Sequence, residues 1–292
     1  MEKEALENYI KAGKICAAAR DEFLGKIKPG MKILDIAEGI EALIERMGGR
    51  PAFPVNISIN EVVAHYTPCA GDQKAVKEGD LVKIDVGAEV DGYIGDMAFT
   101  YCSRPDPLVE AAGRVLEAGI NAIHPGVMVC EISEAIQSEA ERLGVGLIVN
   151  LTGHTLDRYV FHGAVSIPNT RNNIGHVFQE GDVIALEPFT VQSNGYVKEV
   201  EVEEIFSFIH NRPARLSEAK QILELASGKF NGLPFAKRWL RMPACKASMA
   251  LNQLGAAGAI QSYPVLRETS GKSVAQAEHT IIVMDKPLVT TR

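Results

Sequence analysis

Several features that would carry a protein out of the cytoplasm are missing from this sequence of 292 residues. The start of the chain, Met1 to Glu7, lacks the basic and apolar regions of a signal peptide. No apolar run approaches the ~20 residues that span a bilayer. The five cysteines are odd in number, widely spaced and without a C-x-x-C pair, which predicts reduced thiols. We therefore expect a cytoplasmic protein that does not insert into a membrane.

Common catalytic and nucleotide-binding signatures are missing as well. Neither H-E-x-x-H nor G-x-S-x-G occurs. The segment Gly271-Lys272-Ser273 resembles the end of a phosphate-binding loop, but Leu266 stands where its first glycine belongs. The segment Gly144-Val145-Gly146 fails as a dinucleotide fingerprint, because Val149 stands at the last glycine position. We set these patterns aside.

The composition is that of a globular protein. At 292 residues and 46% hydrophobic, the chain is long enough for one large core or two modest domains. Its net charge of −7 argues against general affinity for nucleic acid or for an anionic membrane surface. We expect no DNA partner and no membrane partner.

The stretch from Glu78 to Asp96 carries the first chemical signal. After a Gly-Asp turn, β-branched residues alternate with Lys83 and Asp85, which predicts a strand with a carboxylate on one face. Aspartate is disfavoured in strands. A turn signal precedes Asp96, so a hairpin would bring Asp85 and Asp96 side by side. Two adjacent carboxylates repel each other strongly unless they share a proton or a metal.

The chain contains an internal repeat. The segment beginning Pro29-Gly30 is echoed 96 residues later from Pro125-Gly126, and the segment from Glu78 is echoed 102 residues later from Glu180. The second offset aligns Glu187 with Asp85 in the sequence. Two copies of one unit usually pack about a pseudo-twofold axis. We therefore predict a single catalytic domain over 1–292, built from half repeats of about 1–105 and 106–292, with a site at their junction.

The second half contains extra sequence. Glu187 and Glu278 lie much farther apart than Asp85 and Asp96, and symmetry does not account for the surplus. Helices are predicted over Ser217 to Ala226 and over Ala236 to Ala257, the latter interrupted near Pro243, so we assign about 195–265 to an inserted helical subdomain. Within it, Trp239 is expected to pack inward on an amphipathic helix while neighbouring lysines and arginines are solvated. Those neighbours are Lys237, Arg238 and Arg241.

Four acids on strand-like segments are candidates for a shared cation site, namely Asp85, Asp96, Glu187 and Glu278. Any one alone is more often a cap or a surface carboxylate, but two of them are related by the repeat. Three histidines, His65, His154 and His162, fall in loop segments with glycine or proline next to these strands. A lone histidine of this kind is more often a core residue than a ligand. Four carboxylates and one nitrogen suit a pair of divalent ions such as Mn, Fe, Co or Zn, which points to metal-assisted hydrolysis.

The order of these residues resembles a known family. The pattern is close to that of the methionine aminopeptidases, and within them to the type 2 enzymes of archaeal character. It covers nearly the whole chain. The motifs that carry it are Lys83-Ile84-Asp85-Val86-Gly87, Gly153-His154, Leu186-Glu187-Pro188-Phe189 and Glu278-His279-Thr280. The resemblance implies an α+β, duplicated, pseudo-twofold pita-bread fold, and the insertion between the last two acids is what separates type 2 from type 1.

The resemblance also implies a dinuclear centre. Asp85 would chelate one metal, Asp96 and Glu278 would bridge both, and His154 with Glu187 would complete the other. A hydroxide between the two ions would attack the carbonyl of an N-terminal methionine, with Glu187 as proton acceptor and shuttle.

Four further residues would meet the substrate. His162 would bond the substrate carbonyl and its developing oxyanion, and His65 would contact the scissile amide nitrogen. Phe53 and Phe161 would form the methionine pocket. By the same resemblance, the substrates would be peptides and nascent proteins whose second residue is small. The protein would be a monomer, and transient association with ribosomes is left open.

Two other functions stay open from the sequence. A prolidase-like X-Pro peptidase shares the fold and the ligands but generally carries an extra N-terminal domain. Non-catalytic relatives of this fold bind RNA or ribosomes after losing metal ligands. The five matching ligand positions and the acidic pI argue against a non-catalytic protein that binds RNA or ribosomes.

Overall fold

The computed structural model describes residues 1–292 and mixes helices with antiparallel sheets. The helices are α1 (Lys3–Leu24), α2 (Ile33–Arg46), α3 (Pro107–Asn121), α4 (Val129–Leu143), α5 (Ser217–Glu224) and α6 (Ala244–Ala256). The first-half strands are β1 (Arg50–Pro51), β2 (Asn56–Ile59), β3 (Val62–Ala64), β4 (Val82–Val90) and β5 (Tyr93–Tyr101). The next are β6 (Gly146–Leu147), β7 (Thr152–Thr155), β8 (Ser166–Pro168), β9 (Val183–Leu186), β10 (Phe189–Val191) and β11 (Val197–Phe208). The last are β12 (Phe235–Ala236), β13 (Ile260–Glu268), β14 (Ala275–Gln276), β15 (His279–Ile282) and β16 (Leu288–Val289).

Four sheets are formed. The first has the order β1-β4-β2, with β5 paired to β4, and the largest has the order β16-β15-β9-β7-β8. The other two are β14-β10-β6 and β12-β11-β13-β3. Helices cover the two halves in the same way, because α1 and α2 share a buried core with β4 and β5, and α3 and α4 share one with β9 and β15. Each half thus buries the apolar stripe of its helices against one face of its own strands.

Matched contacts recur in the two halves. The Gly30 amide donates to the Val76 carbonyl at 2.8 Å, and the Gly126 amide donates to the Phe178 carbonyl at 2.8 Å. Both glycines have left-handed φ values, +90° and +93°, which other residues rarely adopt. Isolated bridges follow the same offsets, Lys32 with Ala75 and Met128 with Val177. These contacts support the division into half repeats at about residue 105, which we propose.

The segment 195–265 differs from the helical subdomain that we predicted. It contains α5 and α6, but it begins and ends with β11 and β13, which form one long ladder. The alternation of valine and glutamate between Val197 and Glu203 is a period-two strand signal. The predicted helix over Ala236 to Ala257 is a short strand and a 3₁₀ turn, Lys237–Leu240, followed by α6 after Pro243.

The surroundings of Trp239 also differ from the prediction. Trp239 lies in the 3₁₀ turn and is half-buried, and its indole Nε1 donates to Glu41 Oε2 at 3.0 Å. Arg238 was expected in solvent, but its side chain is only 3% exposed and pairs with Glu41 of α2. Arg241 is exposed as predicted. The expectation of a solvated Arg238 is wrong because the carboxylate that holds it lies almost 200 residues earlier in the chain.

No helix combines the length and the apolar character needed to cross a membrane. All five cysteines are free, and only Cys16 is fully buried.

Candidate metal centre

The β4–β5 hairpin places Asp85 and Asp96 on one face. The turn residues Asp91 and Gly92 both have positive φ, +52° and +88°, as a tight hairpin turn requires. Asp85 pairs with Ala98, and Asp96 pairs with Gly87. The two carboxylates are therefore diagonal neighbours, within reach of a common ligand.

Glu187 and Glu278 come from the second half and meet the hairpin. Glu187 follows β9 directly and Glu278 precedes β15, and these strands are antiparallel neighbours with His279 paired to Leu186. The Glu278 amide donates to the Ala98 carbonyl at 2.9 Å, which joins β15 to β5 across the junction of the halves. Asp85 and Glu187, the acids that the repeat relates, thus lie at the same site.

His154 of β7 completes the cluster. Its Nε2 lies 3.7 Å from Asp96 Oδ2 and 3.7 Å from Glu187 Oε1. Its Nδ1 lies 3.2 Å from the Thr155 carbonyl, so Nδ1 donates and Nε2 turns its lone pair to the acids. Ligand atoms of Asp96, His154 and Glu278 all lie within 4.8 Å of one another, and all three residues are buried.

The electrostatics of the cluster are unfavourable without a cation. Burial, together with the neighbouring carboxylates, raises the pKa of Asp96, Glu187 and Glu278 well above the ordinary range. Burial raises the pKa of Asp85 to about 7, and burial lowers the pKa of His154 to about 4. At neutral pH the imidazole is therefore neutral, as a metal ligand must be.

The donor set fits divalent cations. The Oδ1 atoms of Asp85 and Asp96 are buried and have no hydrogen-bond partner within the protein. Buried carboxylate oxygens are normally satisfied by donors or by a metal. Four carboxylates with one imidazole suit Mn, Fe, Co or Zn better than Cu(I) or a thiolate zinc site.

A cavity of about 290 Å³ opens beside this cluster. One wall is aromatic, since the rings of Phe53 and Phe161 lie 4.5 Å apart and those of Phe161 and His162 lie 4.2 Å apart. His162 also stands 4.6 Å from His154, centroid to centroid. The structure thus brings together all nine residues singled out in the sequence, including His65, at one cavity.

The position of Phe53 depends on a glycine. A Cβ placed on Gly87 of β4 would lie 2.2 Å from Phe53 Cε1. The absence of a side chain at Gly87 therefore lets the Phe53 ring lie flat against the strand that carries Asp85. This explains the glycine two residues after that aspartate.

His65 and His162 have distinct settings. His65 has a φ of +61°, which is unusual for a residue with a Cβ, and its Nδ1 lies 3.1 Å from the Pro264 carbonyl. Burial lowers the pKa of His65, and the Nδ1 contact leaves Nε2 without a proton. His162 keeps solvent contact, but desolvation of its ring, with His154 and His65 nearby, lowers its pKa below the ordinary value.

Sequence reasoning missed several residues of the cavity wall. Tyr263 of β13 stands 5.7 Å from His65 and 6.1 Å from His162, ring centroid to centroid. No local signal marks Tyr263, because long-range pairing of β13 brings it to the cavity, with β11, where Tyr263 lies opposite Ile205, and with β3. Leu151 could have been found, since it precedes Thr152-Gly153-His154 directly. The remaining apolar lining residues are Ala64, Phe189, Ile205, Pro234 and Leu266.

Fold and site together define a class of protein. Two similar halves each contribute two acids, on the β4–β5 hairpin in the first half and at the ends of β9 and β15 in the second. The acids surround one imidazole beside a cavity with aromatic walls. Such a centre is suited to hydrolysis assisted by divalent metal ions.

The comparisons with known proteins agree with that class. A model of metallopeptidase family M24 matches residues 7–227, and the chain belongs to this family. The methionine aminopeptidase of Thermococcus onnurineus (strain NA1) is 48% identical over 287 residues, which cover 97% of this chain and 96% of the relative.

Solved structures share the fold. The structure of a thermophilic Arx1 has a TM-score of 0.87 at 20% identity, and the match covers 99% of this chain and 91% of that one. The methionine aminopeptidase from Thermotoga maritima has a TM-score of 0.73 at 24% identity, and the match covers 100% of this chain and 98% of that one. At these identities the likeness concerns the fold alone. The predicted α+β pita-bread fold is confirmed.

Proposed function

We propose that this protein is a metal-dependent aminopeptidase that removes the N-terminal methionine from peptides and nascent proteins with a small second residue. The proposal depends on one combined observation: the chain is similar over nearly its full length to a methionine aminopeptidase, and it also has an intact cluster of acids and histidine. We further infer a monomer that acts in the cytoplasm.

We assign five residues to the metal ions. Asp85, Asp96, His154, Glu187 and Glu278 would hold two divalent cations, of Co, Mn, Fe or Zn. The support for this assignment is the unpartnered oxygens of Asp85 and Asp96 and the free lone pair of His154 Nε2. When bound, the cations would polarise the scissile carbonyl and lower the pKa of a nearby water.

Three residues would handle protons and orient the substrate. Glu187 keeps partial exposure toward the cavity, where its carboxylate would take the proton of the attacking water and pass it to the leaving amine. His162 is neutral at pH 7 and would donate to the substrate carbonyl oxygen. His65 Nε2 would accept a hydrogen bond from the scissile amide, because Nδ1 already donates to Pro264.

The methionine side chain is assigned to the aromatic wall. Phe53 and Phe161 are tilted against each other by 40°, which leaves an apolar surface next to the metal ligands. Thioether sulfur packs favourably against aromatic rings. Specificity for methionine would follow from this contact and from the limited volume of the cavity.

Metal content and activity, measured together, test the proposal. The metal-free protein should be inactive on Met-Ala-Ser, and addition of one of the four cations should release methionine and then stop at Ala-Ser. Cleavage of an X-Pro dipeptide with indifference to methionine would instead identify a prolidase-like enzyme. Tight metal binding without hydrolysis of either peptide would identify a non-catalytic protein.

A further inference from the structure

Besides lining the cavity with Ile205, Pro234 and Tyr263, the inserted segment places one buried arginine outside the cavity. Arg238 lies in the 3₁₀ turn that follows β12, and its side chain is 3% exposed. Its Nη2 pairs with Glu41 Oε1, while Nη1 donates to Thr67 Oγ1 at 2.5 Å and to the Pro68 carbonyl at 3.2 Å. A guanidinium is suited to this task because its fork presents several donors in one plane.

The partners of Arg238 bind two segments that line the cavity. Glu41 Oε1 also accepts the Val55 amide at 3.1 Å, and the Thr67 hydroxyl donates to the Val55 carbonyl at 2.8 Å. Val55 lies two residues after Phe53, and Thr67 lies two residues after His65. Arg238 and Glu41 therefore hold these two segments together from behind.

His65 needs such support. Its left-handed backbone is energetically unfavourable for a residue with a side chain, and such conformations persist where the surroundings fix them. The adjacent Tyr66 carbonyl accepts the Ile57 amide at 2.6 Å, and the next residue is Thr67, which is bonded to Arg238. The loop is thus fixed on the C-terminal side of His65 by this network.

The ion pair is poorly suited to a purely stabilising role. Burial raises the pKa of Glu41 and lowers that of Arg238, so for both groups desolvation outweighs the attraction of the partner. In addition, Arg238 Nε is buried without a hydrogen-bond partner. Buried ion pairs of this kind are often no more stabilising than apolar side chains. Their best-supported benefit is a fixed geometry.

We propose that Arg238 is a positioning residue for His65: with Glu41 it fixes the 64–68 loop against the 53–56 segment, so that the His65 imidazole faces the substrate. Arg238 thereby contributes to catalysis without touching the substrate. This inference rests on the proposed function, because it requires that methionine release involves His65.

A double-mutant cycle with His65 tests this role. Arg238→Lys keeps the positive charge that pairs with Glu41, but an ammonium cannot donate from two nitrogens as the guanidinium does. In Mn²⁺-loaded protein it should lower kcat on Met-Ala-Ser by about 10- to 100-fold, with metal content unchanged. In the His65→Ala background the same change should lower the residual kcat by less than about twofold, since a residue that acts through His65 has nothing left to position. Arg241→Gln removes an exposed arginine of the same region and should leave kcat unchanged.

A second variant tests the same role if Arg238→Lys does not fold. Thr67→Val removes only the hydroxyl between Arg238 and Val55, and its crystal structure should have His65 displaced while Asp96, His154 and Glu278 stay in place. An unmoved His65 in that structure, or equal losses of kcat in both backgrounds, would overturn the positioning role. Those results would leave the proposed function intact as long as the wild-type protein releases methionine. A wild-type protein that does not release it would overturn both.

Discussion

Asp85 and Asp96 are diagonal neighbours across the β4–β5 ladder, where Asp85 pairs with Ala98 and Asp96 with Gly87. Each carboxylate keeps its Oδ1 buried and unpartnered. Of the two, only Asp96 is fully buried. The pKa of Asp96 is raised by this burial and, in addition, by the negative charge of Asp85. The hairpin by itself is therefore an unfavourable arrangement of charge, and a cation would relieve it.

We predict that Asp96→Asn lowers metal occupancy and activity by orders of magnitude while the chain stays folded. The amide keeps the size of the side chain and still offers one oxygen, but it removes a negative charge from the centre of the cluster. Metal content after dialysis, together with turnover of Met-Ala-Ser, measures the effect. Asp91→Asn is the matched control, because Asp91 lies in the same hairpin on the exposed turn. Wild-type turnover of Asp96→Asn at saturating metal would contradict a shared cation.

We predict that His65→Ala retains the bound metal but loses most of its turnover. His65 lines the cavity without being part of the compact ligand cluster, and its Nε2 is free to meet a substrate amide. A loss of about 100-fold in kcat is expected for one positioned polar contact to the reacting group. Elemental analysis of the same samples distinguishes the roles. If metal content falls together with turnover, His65 has to be reassigned as a ligand.

Much of the site could be predicted because its chemistry lies on strands with a clear pattern. Asp85 and Asp96 interrupt period-two apolar segments, and the repeat at a fixed offset leads from Asp85 to Glu187. The histidines needed the family resemblance as well, since a single imidazole in a loop has several common explanations. The structure places these side chains around one cavity.

Other parts of the cavity depend on contacts that no local pattern encodes. Arg238 is flanked by Lys237 and Trp239, and such a sequence is typical of an exposed amphipathic helix. Its burial follows from Glu41, which belongs to the other half of the chain. Tyr263 reaches the cavity because β13 pairs with β11 on one side and with β3 on the other. Long-range pairing is the information that composition and periodicity lack.

The metal-free protein should lose stability as the pH rises above about 6.5. Folding raises the pKa of Asp85, Asp96, Glu187 and Glu278 but lowers that of His65, His154 and His162, so below about pH 6.5 the two sets of shifts oppose each other. Above that pH the histidines are neutral in both states, and the acids leave the folded chain with more bound protons than the unfolded chain. The stabilisation is complete below the unfolded pKa and is lost as the pH rises through the folded pKa. Each proton of difference lowers the free energy of unfolding by about 1.4 kcal/mol per pH unit.

Thermal unfolding across this range measures that trend. The Tm of metal-free protein should fall from about pH 6.5 to about pH 8, whereas excess Mn²⁺ should raise the Tm most at the upper end, because metal binding requires ionised acids. Asp96→Asn should have a shallower slope without metal. A flat or rising Tm in the metal-free protein would contradict the raised pKa values.

The contact between Gly87 and Phe53 yields a prediction about specificity. A methyl group on Gly87 would overlap the Phe53 ring, so Gly87→Ala must displace that ring from the strand. Because an apolar pocket discriminates by contact and volume, kcat/KM for Met-Ala-Ser should fall by about tenfold or more, mainly through a higher KM. Gly113→Ala is the control, because a Cβ at Gly113 of α3 would meet no atom within 4 Å. An unchanged KM in Gly87→Ala would remove Phe53 from the methionine pocket, whereas a parallel loss of metal would assign Gly87 to the support of Asp85.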